Sequence, residues 1–130
     1  MMQRQGIFAG MSEVIIFHNP GCSSSKYAVE VAQQAGVDFR VVKYMLKAER
    51  PSAEQLNEIL DKLEDPATDL VRRDANFTKL GLTEQMVHSR DQVLAVLLEH
   101  PALLQRPILI KGDLAIIGRP KTRVSNFLGV

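Results

Sequence analysis

The chain of 130 residues has a single cysteine, no tryptophan and only two tyrosines. One cysteine excludes an intramolecular disulfide, and it excludes a zinc or iron–sulfur site built from the cysteines of one chain. Charge of one sign is missing too. Sixteen Lys and Arg against fifteen Asp and Glu leave a formal net charge of +1, which supplies no bulk attraction to nucleic acid. The longest apolar runs are VIIF at 14–17 and VLAVLL at 93–98, well short of the ~18 residues that span a bilayer. The opening MMQRQGIFAGMS has no sustained apolar stretch and no cleavage pattern of a secretory signal. These absences favour a reducing, cytoplasmic compartment with no membrane partner and no nucleic-acid partner. What is present, 45% hydrophobic and 24% charged residues, is ordinary for one globular domain.

Met1 to Ser12 reads as a flexible arm, followed by a single domain over 13–130. Val14 to Phe17 is a short β-type run, broken by His18-Asn19-Pro20-Gly21. The period then changes. Ala28, Val31, Ala32 and Ala35 fall on one helical face, and Gly36 is placed to end that helix. Phe39 to Tyr44 reads as a second strand, completing a βαβ unit with two parallel strands. A helical stretch follows, over about 50–105. Ser52 with Gln55 and Ser89 with Gln92 have capping-box spacing ahead of the apolar faces Leu56-Ile59-Leu60-Leu63 and Val93-Leu94-Val96-Leu97-Leu98. Between them, Thr68–Arg73 and Phe77–Leu82 predict two brief helical turns. Pro107 to Lys111 and Leu114 to Ile117, split by Gly112-Asp113, predict an antiparallel hairpin, and Thr122 to Phe127 a last short helix. The economical packing is an α/β domain: one four-stranded mixed sheet flanked by helices, with the helical insertion between the second and third strands.

The sharpest chemical feature is His18-Asn19-Pro20-Gly21-Cys22-Ser23-Ser24-Ser25-Lys26. It joins a strand to an amphipathic helix, so Cys22 falls at the helix N-terminus, where unpaired N–H groups and the positive end of the dipole lower a thiol's pKa and attract an oxyanion. Lone cysteines are most often small buried hydrophobes. Here the neighbours are Gly and Ser, three hydroxyls, and the cation Lys26, which together describe a nucleophile where an anion docks. A thioredoxin-type dithiol needs a second cysteine at position 25, which is serine, and a phosphatase-type loop needs arginine at position 28, which is alanine. His88 and His100 have no metal-ligand spacing, and no metal is expected.

The turn Asn19-Pro20-Gly21-Cys22-Ser23-Ser24-Ser25 is followed in order by Leu70-Val71-Arg72, Phe77-Thr78-Lys79-Leu80-Gly81-Leu82, His100-Pro101-Ala102-Leu103-Leu104-Gln105-Arg106-Pro107-Ile108 and Ile117-Gly118-Arg119-Pro120. In that order and spacing, from about Glu13 to Leu128, the chain resembles the glutaredoxin-coupled arsenate reductases, a family of the thioredoxin-like superfamily. The resemblance implies a catalytic Cys22 and three anion-binding arginines at Arg72, Arg106 and Arg119, with Arg72 preferred to the adjacent Arg73. It also implies a histidine, His18, that helps keep the thiol ionised, a helix-capping Ser25, and a cis-proline at Pro107. Asn19, Ser23, Ser24, Ser25 and Lys26 are the further candidates for contact with the bound anion. Lys26 stands where the family commonly has arginine, so charge is kept and the bidentate fork is lost.

The activity so implied is reduction of arsenate to arsenite through a thiol-arsenate adduct on Cys22. No cofactor is bound; glutathione is the co-substrate and glutaredoxin the protein partner of a monomer. Two other readings share the scaffold: a glutathione-dependent thiol-disulfide oxidoreductase, and a non-enzymatic regulator that binds RNA polymerase. A disulfide substrate has no use for three converging guanidinium groups, and many of the regulators carry a cysteine pair that this chain lacks.

Overall fold

The computed structural model describes residues 13–129, so the arm expected over 1–12 lies outside the described residues. Strand β1 (Val14–Phe17) leads into helix α1 (Ser23–Ala35) and returns as β2 (Phe39–Val42), which pairs parallel with β1. Three helices follow, α2 (Ala53–Lys62), α3 (Ala75–Lys79) and α4 (Arg90–Glu99), separated by short 3₁₀ turns. The chain then forms the hairpin β3 (Ile108–Lys111) and β4 (Leu114–Ile117) and ends in α5 (Thr122–Leu128). Strand order is β2-β1-β3-β4, with β3 antiparallel to both neighbours. This is a four-stranded mixed sheet of thioredoxin-like type, with a multi-helix insertion between β2 and β3.

Strand alternation sorts the core into two layers. Val14, Ile16, Leu109 and Ile116 face one side and pack with Ala28 and Ala32 of α1 and with Val124 and Leu128 of α5. Phe17, Ile108, Ile110 and Ile117 face the other and pack with Leu56, Ile59, Val93 and Leu97 from the insertion. Both predicted capping boxes are formed: the Ser52 and Ser89 side chains accept from the Gln55 and Gln92 N–H groups, and each glutamine returns a bond to the cap backbone. The second strand ends two residues earlier than the sequence indicates. The Leu46 N–H donates to the Lys43 carbonyl, making a turn that swings Tyr44 inward to 1% exposure.

Three backbone devices carry the insertion and the hairpin to the C-terminal ends of β1 and β2. Val71 and Leu104 form an isolated antiparallel bridge, reinforced by Arg72 N–H to the Leu103 carbonyl (2.8 Å) and Gln105 N–H to the Leu70 carbonyl (2.8 Å). This two-rung ladder ties the segment bearing Arg72 to the segment bearing Arg106. The Arg106–Pro107 peptide is cis, as is Arg119–Pro120. The Gly118 N–H donates to the Pro107 carbonyl at 2.8 Å, and a Cβ on Gly118 would meet Pro107 Cγ at 2.7 Å and Leu109 Cδ1 at 3.0 Å. Only glycine allows the turn before Arg119 to lie so close to the proline.

Candidate active site

Cys22 is the N-cap of α1, with extended backbone angles and a partly exposed thiol. Burial alone raises its pKa. That effect is outweighed by the Ser25 N–H, a hydrogen bond from Arg106, the Ser24 N–H and the Arg119 charge, which together lower it to about 7. The Arg119 Nη2 donates to Cys22 Sγ at 3.3 Å, and the Arg119 Nε donates to the Arg106 carbonyl at 2.8 Å. The thiol therefore lies between a helix end and two guanidinium groups. An electropositive, partly open setting of this kind yields a reactive thiolate near neutral pH.

The loop before the helix is fixed by its own side chains. Asn19 Oδ1 accepts from the Gly21 N–H at 2.9 Å, and Ser25 Oγ accepts from the Asn19 N–H at 3.3 Å. Ser25 lies three residues into the helix and is fully buried, so it does not cap the helix; it pins the turn against it. Ser24 is also buried and Ser23 is exposed. Within the loop Ser25 Oγ and Asn19 Oδ1 are engaged as acceptors, while the Ser24 and Ser25 N–H groups bear on the thiol.

His18 is not among the groups that set the Cys22 pKa. Its ring is buried, its pKa is lowered first by desolvation and further by the charges of Lys43 and Lys26, and only a backbone contact with Ser25 opposes this. The imidazole is neutral at pH 7 and is not a charge that holds Cys22 ionised. Lys26 is solvent-exposed and bears on His18; it is not among the groups that lower the Cys22 pKa.

The three arginines arrive from separate stretches. Arg119 follows β4, and Arg106 precedes the cis-proline with its buried Nε unpartnered. Arg72 comes from the insertion and keeps both Nη atoms unengaged among the described residues, its Nε lying 3.3 Å from Asp74 Oδ2. Arg73 is spent elsewhere: its donors reach the Thr68 and Val71 carbonyls, Thr68 Oγ1 and both oxygens of Glu84. All five guanidinium protons have acceptors, so Arg73 braces the insertion and has none to offer an anion.

Two residues of the site escaped sequence reasoning. Tyr44 is buried, donates its hydroxyl to the Leu104 carbonyl at 3.4 Å, and lies within electrostatic reach of Arg106, Arg72 and Cys22. Burial raises its pKa, so it stays a neutral phenol under the arginines. Asp74 caps α3 by accepting from the Phe77 N–H at 3.1 Å and also holds Arg72; these contacts overcome burial and keep its carboxyl below the usual range. The signal for Asp74 was legible, an Asp three residues before Phe77 at a helix start. Tyr44 gave none, because it reads as the end of a strand.

A thiol at the first helix of a βαβ unit, on a mixed sheet of order β2-β1-β3-β4 that ends in a β-hairpin, defines a protein of the thioredoxin-like class. The ArsC family pattern matches residues 17–127, and the chain belongs to that family. It is 35% identical to an arsenate reductase of Neisseria meningitidis serogroup A over 91% of this chain and all of the relative. It is 30% identical to an arsenate reductase of Escherichia coli, over 91% of this chain and 82% of that one. Among solved structures, an arsenate reductase from Vibrio cholerae superimposes with a TM-score of 0.76 at 30% identity, covering 88% of this chain and 97% of that one.

Proposed function

We propose that the protein reduces arsenate to arsenite, with Cys22 as nucleophile and Arg72, Arg106 and Arg119 as the anion clamp. The observation that carries this reading is the Arg119 contact with the sulfur at 3.3 Å, made while Arg119 also holds the Arg106 backbone. One guanidinium thus touches both the nucleophile and the backbone of the second arginine. Arsenate at pH 7 carries one to two negative charges, and planar guanidinium groups match its tetrahedral oxygens.

In the first step the thiolate attacks arsenic, an S–As bond forms, and one oxygen leaves as water after protonation. The oxygen charge that grows as the As–O bond breaks is met by the arginines and by the Ser24 and Ser25 N–H groups, groups already in place before reaction. Taking arsenic from the +5 to the +3 state requires two electrons. With one cysteine in the chain, the second thiol must come from outside, and we assign it to glutathione: its thiolate attacks the Cys22 sulfur, an S–S bond forms, and the S–As bond breaks with its electron pair leaving on arsenic as arsenite; glutaredoxin then reduces the Cys22–glutathione disulfide to the free thiol. Such chemistry belongs to a compartment where glutathione is kept reduced, and nothing in it requires a metal ligand or a second subunit. Among the described residues no helix is long and apolar enough to cross a membrane.

The decisive experiment supplies purified protein with arsenate, glutathione and glutaredoxin, and follows NADPH consumption through glutathione reductase. Turnover that disappears in Cys22→Ser supports the proposal. Absence of turnover in the wild type with a competent glutaredoxin overturns it in favour of thiol-disulfide exchange.

A further inference from the structure

Beside Arg119, the insertion and the end of the hairpin form an open cavity of about 540 Å³, lined by Asp65, Asp69, Gln105, Arg119 and Arg123 together with the mutually paired Arg73 and Glu84. A smaller cavity of about 200 Å³ contains Arg72 and shares Gln105 and Arg119 with the first, so the two form one groove that leads to the clamp. The volume suits a small organic ligand, whereas a four-oxygen anion fills only a fraction of it.

The polar groups of the groove divide into those already paired and those left available. Asp65 is held by Arg123 Nη1 at 2.9 Å and by the Ile117 N–H at 3.2 Å, which fixes that wall. The solvent-exposed Asp69 carboxylate makes no ion pair or hydrogen bond among the described residues, and neither does the half-buried Gln105 side chain. Arg123 engages only Nη1, leaving Nε and Nη2 with donors to offer. The groove therefore presents an unpaired carboxylate and an available guanidinium in one cavity, then a neutral amide, then the clamp beside the thiol. A free carboxylate with a free guanidinium complements an α-amino acid head group, which carries an ammonium and a carboxylate. A primary amide complements a peptide bond.

We propose that this groove binds the peptide portion of the thiol co-substrate, a small zwitterionic peptide thiol of the glutathione class. The head group lies against Asp69 and Arg123, the peptide unit against Gln105, and the sulfur is directed past Arg119 to Cys22. This deepens the functional proposal above and takes its external thiol from it. Because the Asp69 and Gln105 side chains make no hydrogen bond or ion pair with Cys22 or the three arginines among the described residues, the groove acts on recognition of the second thiol and leaves formation of the arsenate adduct unaffected.

The test uses a reaction that needs no arsenate. The Cys22 thiolate attacks glutathione disulfide, a new S–S bond forms on Cys22, the old one breaks, and one glutathione leaves as its thiolate. The same exchange with 2-hydroxyethyl disulfide lacks the peptide and its charges. Rates of both are measured for wild type, Asp69→Asn, Gln105→Ala and the double variant, with iodoacetamide alkylation as the measure of thiol reactivity. The expected result is a loss of about 3- to 10-fold with glutathione disulfide in each single variant, with hydroxyethyl disulfide and iodoacetamide rates unchanged within about twofold. In the arsenate assay the same variants raise KM for glutathione and leave KM for arsenate in place. Unchanged rates with glutathione disulfide, or equal losses with both disulfides, overturn the groove assignment. So does a defect confined to the glutaredoxin-dependent step, which would make this surface a protein contact. A wild type inert towards arsenate but selective for glutathione disulfide through Asp69 and Gln105 would overturn the arsenate reading and leave the groove standing.

Discussion

Removal of the Arg119 guanidinium is the perturbation that separates thiol activation from substrate binding. In Arg119→Ala the charge 3.3 Å from Cys22 Sγ disappears. Arg119 is solvent-exposed, so a water-like dielectric applies. Two unit charges at 3.3 Å then interact by ~1.3 kcal/mol, about one pKa unit. The alkylation midpoint of Cys22 is therefore expected to move from about 7 to ~8, with a smaller shift at high salt. Below the midpoint the thiolate population falls about tenfold, and iodoacetamide reactivity falls with it. Loss of a charge-assisted contact to the oxyanion weakens the transition state by a further ~1.5 kcal/mol or more, slightly over tenfold. At pH 6.5 kcat/KM for arsenate is accordingly expected to fall about 100-fold and alkylation about tenfold. At pH 9 alkylation recovers while an arsenate deficit of about tenfold persists. Parallel pH profiles for the two reactions would refute the clamp. A midpoint that does not move would refute the ion pair.

The other arginines give a contrast within two adjacent residues. Arg72→Ala is expected to lower kcat/KM for arsenate by at least ~10-fold with little loss of stability, since its Nη atoms hold nothing structural. Arg73→Ala should leave the chemistry near wild type and lower unfolding stability by ~1–2 kcal/mol through loss of its bonds to Thr68, Val71 and Glu84, measured by urea titration. His18→Ala should leave the alkylation midpoint within about 0.3 units, because a ring with a lowered pKa is already neutral at pH 7; a clear rise would restore the imidazolium to the mechanism. Gly118→Ala forces a methyl against Pro107 Cγ and Leu109 Cδ1 and should cost ~1–3 kcal/mol, with arsenate turnover lost ahead of global unfolding because Arg119 is carried on that turn.

The scaffold was readable because its signals are local. Strand β1, helix α1 with Gly36 at its end, both capping boxes and the Gly112-Asp113 hairpin are each specified within a dozen residues, and the structure forms every one of them. The cysteine turn was readable for the same reason, since a thiol between strand and amphipathic helix has one place to go. Long-range features were not. Tyr44 reads as strand until the Lys43–Leu46 turn is seen, and its partner Leu104 is sixty residues away. The choice between Arg72 and Arg73 depends on what Thr68 and Glu84 do, which no periodicity records. The environment of His18 was not legible either. Its state follows from burial and two lysines, one of them supplied by the far end of β2.

In the proposed mechanism the groups that ionise the thiol are also the groups that receive the anion, and this sets the expected pH behaviour of the site. Arg106, Arg119 and the Ser24 and Ser25 N–H groups stabilise the Cys22 thiolate in the free protein. A bound oxyanion draws on the same positive field and adds its own negative charge, so it raises the thiol pKa; by linkage, ionisation of the thiol weakens anion binding by the same factor. A free-protein pKa of about 7 places the system between the two demands. A much lower value would mark a field already neutralised by the thiolate, leaving the arsenate unclamped, and a much higher value would leave too little nucleophile. On the proposed reading Arg72 relieves the conflict, because it is absent from the groups that set the Cys22 pKa and lines a cavity with Arg119, its position held by Asp74 and by the Leu70–Gln105 ladder. In the proposed mechanism, a third arginine that binds the anion without being consumed by the thiolate is what the helical insertion adds to a thioredoxin-like sheet.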